Sequence, residues 1–422
     1  MPRRQSSRPE PQTVRAILDF GTGGTRAAVV RLSDAGAQVM GMGQTLGASG
    51  IARPGHVMQR RQISALAEQS LAAAETDSAT AATRQSIADD ALVGLTGPFL
   101  HAHPATHHIT RRRDVPLYAA ELRLAMDQAQ RQSLQALAQT VQSGPLRRSL
   151  VGSQLVGAWM VQSEDETAHR LTSLPDGAPS AGGDTLSIML CNLSWPTQGL
   201  AMVRDVLDDL ELGLHSVVPQ AQAVAAALPR PNAILVDVGA EHSEITLVEA
   251  RALSDLTNVS LGGDFFTQRL MQALSLPHET AQFVKHRAAH ARVAPNSAVG
   301  RALHDATARW RFEVEEALRH LAHGGPLPPL IYLFGGGAQL PTLLTALRDY
   351  PWLDHLPFER HPEVERLAPY QLEGLNDPRG LLHSSSAVGL AALTIWAARA
   401  PAPLEQQLDE VTGRLVRTLP LG

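Results

Sequence analysis

Residues 17–31 read ILDFGTGGTRAAVVR: an apolar strand that ends on Asp19, a turn of glycine and threonine, and a second apolar strand. The stretch is a hairpin with an acid near its tip. Gly21, Gly23 and Gly24 let backbone N–H groups approach a phosphate without Cβ interference. Thr22 and Thr25 add hydroxyls, and Asp19 is placed to hold the hydration shell of a Mg²⁺ ion. Two readings compete, a nucleotide-phosphate grip and an ordinary glycine-rich turn.

The rest of the chain favours the grip. Residues 233–250, AILVDVGAEHSEITLVEA, repeat the pattern of strand, Asp-x-Gly turn and strand, with Asp237 over Asp19 and Gly239 over Gly21. The chain is internally duplicated on this reading. Two such hairpins facing each other enclose a phosphate chain from both sides, each giving one carboxylate to the same metal ion. Two further glycine turns follow. VSLGGDFFTQRL (259–270) places Gly262, Gly263 and Asp264 at the start of a helix. LIYLFGGGAQLPTLLTAL (330–347) is a strand, the glycines Gly335, Gly336 and Gly337, and a helix opened by Pro341. A flat ring or a phosphate can lie close to the backbone at such a turn.

Composition narrows the class. A chain of 422 residues with 44% hydrophobic content divides into more than one domain. A net charge of −5 and 4% aromatic residues give neither the field nor the stacking platforms that nucleic acid needs, so no nucleic-acid partner is expected. The single cysteine, Cys191, lies in an apolar run and makes no internal disulfide, which fits a reducing cytoplasmic setting. The N-terminal segment carries basic residues without an apolar run behind them and reads as a disordered arm over 1–13. The uncharged run 384–398 is too short to span a bilayer and reads as a buried core helix.

The expected organisation is a first domain over 14–97, an inserted subdomain over 98–184, and the first domain resumed over 185–230. A second domain follows over 231–372 with a helical part at about 268–328, then a closing helix over 373–400 and a linker with an amphipathic tail over 401–422. His101, His103, His107 and His108 invite a metal, yet no nearby Cys or carboxylate completes a set, and the piece reads as a solvated strand. In the tail, Leu404, Leu408, Val411, Leu415 and Leu419 form one helical stripe, suited either to a membrane surface or to packing on protein.

In order and spacing these stretches resemble the actin, Hsp70 and sugar-kinase superfamily. ILDFGTGGTRAAV is similar to its first phosphate loop, VDVGAEHSEITLV to its second, and LFGGGAQLP to its adenosine loop. The closest likeness within it is to the FtsA family of bacterial cell division, with the PilM family of pilus assembly second. LGGDFFTQRL resembles the Gly-Gly-Asp turn of both, and the insertion after LTGPF resembles their extra subdomain.

The resemblance implies an α/β chain of actin-like fold, two ribonuclease-H-like domains around a nucleotide cleft with an FtsA/PilM-type insertion. It implies ATP and Mg as cofactors, with Asp19 and Asp237 facing the metal through water. Gly21, Thr22, Gly23, Gly24, Thr25 and Gly239 would hold phosphate, Gly262 and Gly263 the neighbouring turn, and Gly335, Gly336 and Gly337 adenosine. Lys285 would lie near the nucleotide, and Asp237 would be the catalytic base. The second loop departs from the family, with Ala240, Glu241, His242 and Ser243 after Gly239 where glycines and threonines are usual. Gln282 stands where an acid is common.

The function implied is an ATP-binding, actin-like protein of the cytoplasmic membrane face. It would tether a tubulin-like FtsZ filament, self-associate into filaments, and touch membrane through residues 404–422. The alternatives are a PilM-like scaffold of pilus or secretion assembly and a small-molecule kinase.

Overall fold

The computed structural model describes residues 13–47, 60–80, 84–112, 115–143, 147–162, 168–171, 183–290, 293–322 and 325–416. The proposed N-terminal arm lies outside them, apart from Thr13.

Strands β1 (Thr13–Gly21), β2 (Gly24–Ser33) and β3 (Gly36–Leu46) form an antiparallel meander, followed by helix α1 (Arg60–Ser78) and strand β4 (Asp90–Leu95). Alternation decides which face each side chain takes. Ile17, Ala28 and Val30 face one core, while Ala16, Leu18, Phe20, Ala27 and Val29 face another under α1. Both faces of the sheet are therefore covered by protein.

The insertion comprises β5 (His101–Thr110), α2 (Ala119–Ser143), β6 (Arg148–Val161), β7 (Ala168–Arg170) and β8 (Thr185–Pro196), with sheet order β5-β8-β6-β7. This moves one expected boundary. Thr185–Pro196 does not resume the first domain but pairs with both β5 and β6 inside the inserted sheet. The chain re-enters the first domain at α3 (Thr197–Asp209), continuing into β9 (Gly213–Pro219) and α4 (Gln220–Ala227).

The second half runs β10 (Ala233–Val238), β11 (Ser243–Glu249), β12 (Ala252–Val259), α5 (Gly263–Leu274), α6 (His278–His290), α7 (Ala298–Leu321), β13 (Leu330–Phe334), α8 (Pro341–Arg348) and β14 (Glu363–Arg366). The duplication read from the hairpins extends to the whole sheets. The first has the order β3-β2-β1-β4-β9 and the second β12-β11-β10-β13-β14. In each, the opening strand pairs antiparallel with the next and parallel with the fourth. Helix α9 (Val388–Ala397) returns to pack with α4 between the two sheets, in a core that joins Ile17 and Leu92 to Leu235 and Tyr332. Its apolar run is thus a core helix. Among the described residues no helix is long and apolar enough to cross a membrane.

Helix α10 (Pro403–Val416) takes, over its described part, the second of the two readings of its stripe, packing on protein. Leu404, Leu408 and Val411 are buried against the insertion, with Leu117, Leu122 and Met126 around the first two. The Gln130 amide donates to Thr412 Oγ1 at 3.0 Å, and Arg399 donates to both oxygens of Glu405. An amphipathic stripe has the same pattern whether lipid or protein covers it. Here protein covers the described part, and the side chains of Leu415 and Leu419 lie outside it.

The histidine strand is β5, an edge strand. His103 and His108 hydrogen-bond Ser194 and Ser187, and His107 bonds Gln132. Among the described residues no group of three or more His, Cys, Asp or Glu could hold a metal ion. Cys191 is buried, and burial pushes its thiol well above the usual range.

Candidate functional site

A cleft of about 740 Å³ opens where the glycine turns of the two halves meet. From the first half come Asp19 and the Gly21–Gly24 turn; from the second come Asp237, Gly239, Ala240 and His242. Gly263, Lys285 and Gln282 line it from α5 and α6, and Gly335–Gly337 from the turn after β13. The turns touch across the cleft, since a Cβ added at Gly23 would stand 3.1 Å from the Ala240 Cβ.

Hairpin parity sorts the residues of the first turn. Phe20 pairs with Thr25 across the strands, so Thr25 shares the buried face of Phe20. Thr25 is fully buried and absent from the cleft lining, so it is not brought to a ligand. Gly24 is a packing residue as well as a lining one. Its φ is +149°, and an added Cβ would meet the Thr45 carbonyl at 2.3 Å. Thr22, at the tip, lines the cleft.

Gly262 is also absent from the lining. It packs beneath the second turn, where a Cβ would fall 2.6 Å from the Ala240 oxygen and the His242 nitrogen. The Gly263 and Asp264 amides donate to the Gly239 and Ala240 carbonyls at 2.9 and 2.7 Å, fastening that turn to α5. Lys285 holds the same corner, its ammonium donating to the Gly263 carbonyl at 2.9 Å and to Thr267 Oγ1 at 2.8 Å. Burial lowers its pKa, and Asp264 opposes the shift. Glu241 is not among the cleft-lining residues, whereas His242 is. Burial pushes the His242 imidazole down to about 4, so it is neutral at physiological pH.

The register also shows two residues that motif reading passed over. Arg26 lies across the strand pair from Asp19, with Nη1 3.3 Å from Asp19 Oδ2. Glu244 lies across from Asp237 and is buried, its Oε2 without a hydrogen-bond partner. Matched acids therefore carry unlike partners, a guanidinium beside Asp19 and a buried carboxyl beside Asp237. The signal was available, because once the turn residues are placed, the residue opposite each acid follows.

Asp237 opens toward the cleft, yet the protein packed around its carboxyl pushes it up to about 7, with Asp19 adding to the shift and Arg26 opposing it. Glu244 is pushed up to about 8, by burial first and by Asp237 second. A carboxyl that titrates near neutrality is suited to accept a proton from water or a hydroxyl.

The donor set fits a hydrated divalent cation. Asp19 Oδ1 is buried without a hydrogen-bond partner, and Asp237 completes an acidic cleft floor. Asp19 and Asp237 would hold magnesium with water and phosphate oxygens as further ligands, the manner usual for this ion. A bound magnesium supplies neutralisation of phosphate charge.

The paired sheets, the paired turns and the cleft between them define an actin-like fold. No protein-family model matches the sequence, and no curated protein does. Among solved structures, the chain is similar to the PilM-PilN type IV pilus biogenesis complex, at 14% identity and a TM-score of 0.58, over 92% of this chain and 100% of that one. It is similar to the ethanolamine utilization protein EutJ from Carboxydothermus hydrogenoformans at 14% identity and a TM-score of 0.47, over 91% of each chain. The diol dehydratase-reactivating factor in nucleotide-free form matches at 12% identity and 0.46, over 92% and 100%.

Proposed function

We propose that this chain is a nucleotide-binding actin-like scaffold that holds ATP with magnesium between its two halves. The observation that carries the reading is the convergence of Asp19, Asp237 and three glycine turns on one cleft. Phosphates would lie between Gly21–Gly24 and Gly239–Ala240, and adenosine against Gly335–Gly337. Asp237 is the candidate base for any turnover.

The finer reading is a scaffold of pilus or secretion assembly, which engages a membrane-embedded partner and needs no terminal anchor. Two observations favour it over a tether of an FtsZ-like filament. The PilM-PilN complex matches over nearly all of the chain, and the described apolar stripe of α10 is buried on the insertion. Copurification from the native host tests the choice. A bitopic membrane protein recovered with the full chain supports this reading, and a tubulin-like partner supports the tether. Sedimentation with and without ATP tests self-association into filaments.

A further inference from the structure

Helix α7 carries two polar side chains in its buried stripe. Leu303, Ala306, Trp310 and Val314 recur at helical spacing in the core of the second half, and Thr307 shares their face. A buried indole N–H and a buried hydroxyl each need a partner. These two find theirs beside different turns of the cleft. The Trp310 indole donates to Ser243 Oγ at 2.9 Å, and that hydroxyl donates onward to the Leu261 carbonyl at 2.7 Å. Ser243 follows His242 at the end of one turn, and Leu261 precedes Gly262 and Gly263, which pack beneath it. One helical turn earlier, Thr307 Oγ1 donates to Thr342 Oγ1 at 3.0 Å. Thr342 lies in the first turn of α8, the helix that follows Gly335–Gly337. Trp310, Ser243 and Thr307 are all buried. The two cleft turns meet at their bases, where a Cβ on Gly337 would fall 2.4 Å from Val238 Cγ1. Beyond that contact each runs into an element that α7 holds, β11 through Ser243 and α8 through Thr342.

We propose that Trp310 and Thr307 are positioning residues: one face of α7 sets the spacing between the Gly239–His242 turn and the Gly335–Gly337 turn, which rests on the reading of the cleft as a nucleotide site. Neither side chain lines the cleft, and neither do Ser243 and Thr342, so all four act through the turns they hold. The spacing matters because a nucleotide joins a phosphate chain to adenosine at a set length. Its affinity exceeds that of its parts only when the turns that receive the two ends stand at the matching separation. Loosening either bond to α7 therefore removes the joint advantage and leaves each turn its own affinity.

Displacement of a fluorescent ATP analogue from the full chain by ATP, adenosine and inorganic tripolyphosphate, each with Mg²⁺, tests this. Trp310→Phe removes the N–H and keeps most of the ring, and Thr307→Val removes the hydroxyl at nearly constant shape. Each should weaken ATP about five- to tenfold and leave adenosine and tripolyphosphate within about twofold of the wild type. Thr307→Ser keeps the hydroxyl and should bind ATP as the wild type does. The Thr307 pair keeps the test open if Trp310→Phe does not fold. Unchanged ATP affinity in Trp310→Phe or Thr307→Val overturns the proposal. So does a parallel loss for all three ligands, the mark of a general loosening, or a loss in Thr307→Ser equal to that in Thr307→Val. Absence of ATP binding by the wild type in calorimetry would instead remove the nucleotide reading beneath it.

Discussion

Arg26 stands directly across the β1–β2 pair from Asp19, its Nη1 3.3 Å from Oδ2, so the first acid of the cleft floor carries its own counter-charge. The equivalent position in the second hairpin holds Glu244. The cleft is thus asymmetric in charge although its two halves share one topology. Arg26→Met should weaken ATP binding about tenfold in EDTA and less in excess Mg²⁺, because the metal ion then supplies the missing positive charge. Calorimetric titration under both conditions checks this. Equal loss in the two would contradict it.

Gly335 is fixed by its surroundings. Its φ is +89°, and a Cβ there would fall 2.2 Å from Asp237 Oδ1. Gly336 has φ −64° and open space around it. Gly335→Ala should destabilise the fold by about 2–4 kcal/mol, combining a left-handed alanine with a clash. Gly336→Ala should cost nothing measurable in stability. Denaturant melts of both variants measure the contrast.

Without ligand, the raised carboxyls make stability depend on pH. In the unfolded chain Asp237 and Glu244 lose their protons near 3.8 and 4.5, while in the fold they keep them to about 7 and 8. Between those limits the folded state binds more protons, so this contribution is complete below the unfolded values and is lost as pH rises through about 7 to 8. The charged groups facing this pair are Asp19 and Arg26. Asp237→Asn and Glu244→Gln should flatten the decline in melting temperature between about pH 5 and pH 8.5 and melt higher than the wild type at the alkaline end. A wild type whose stability rose across that range would contradict the assignment.

The hairpins were legible because a hairpin is local. Acid, glycine and flanking apolar strands lie within fifteen residues of one another in sequence, and their repetition announced the duplicated sheets. Thr25 was misplaced because the glycine run hides where the turn ends, and parity then sends its side chain to the core beside Phe20. Glu244 and Arg26 were missed for a related reason, since a cross-strand partner is set by register rather than by a motif. The boundary at Thr185 failed because a strand buried on both faces reads alike in any sheet. The partners that claim it are β5 and β6, brought together only by the fold.

The tail shows the same ambiguity resolved by packing. Leu408 is 1% exposed. Leu408→Ala should therefore cost about 2–4 kcal/mol of docking for α10 and speed amide exchange there. Truncation after Ala400 should expose the apolar residues of α2 to a hydrophobic dye. Flotation with liposomes should be equal for the full and truncated chains. Loss of flotation on truncation would restore a membrane role for the tail.

The most direct measurement is calorimetric titration of ATP with Mg²⁺ into the full chain and its Asp19→Ala variant. The wild type should bind one nucleotide per chain, and the variant should lose about tenfold or more in affinity. No binding by the wild type, or unchanged affinity in Asp19→Ala, would contradict the cleft as a nucleotide site.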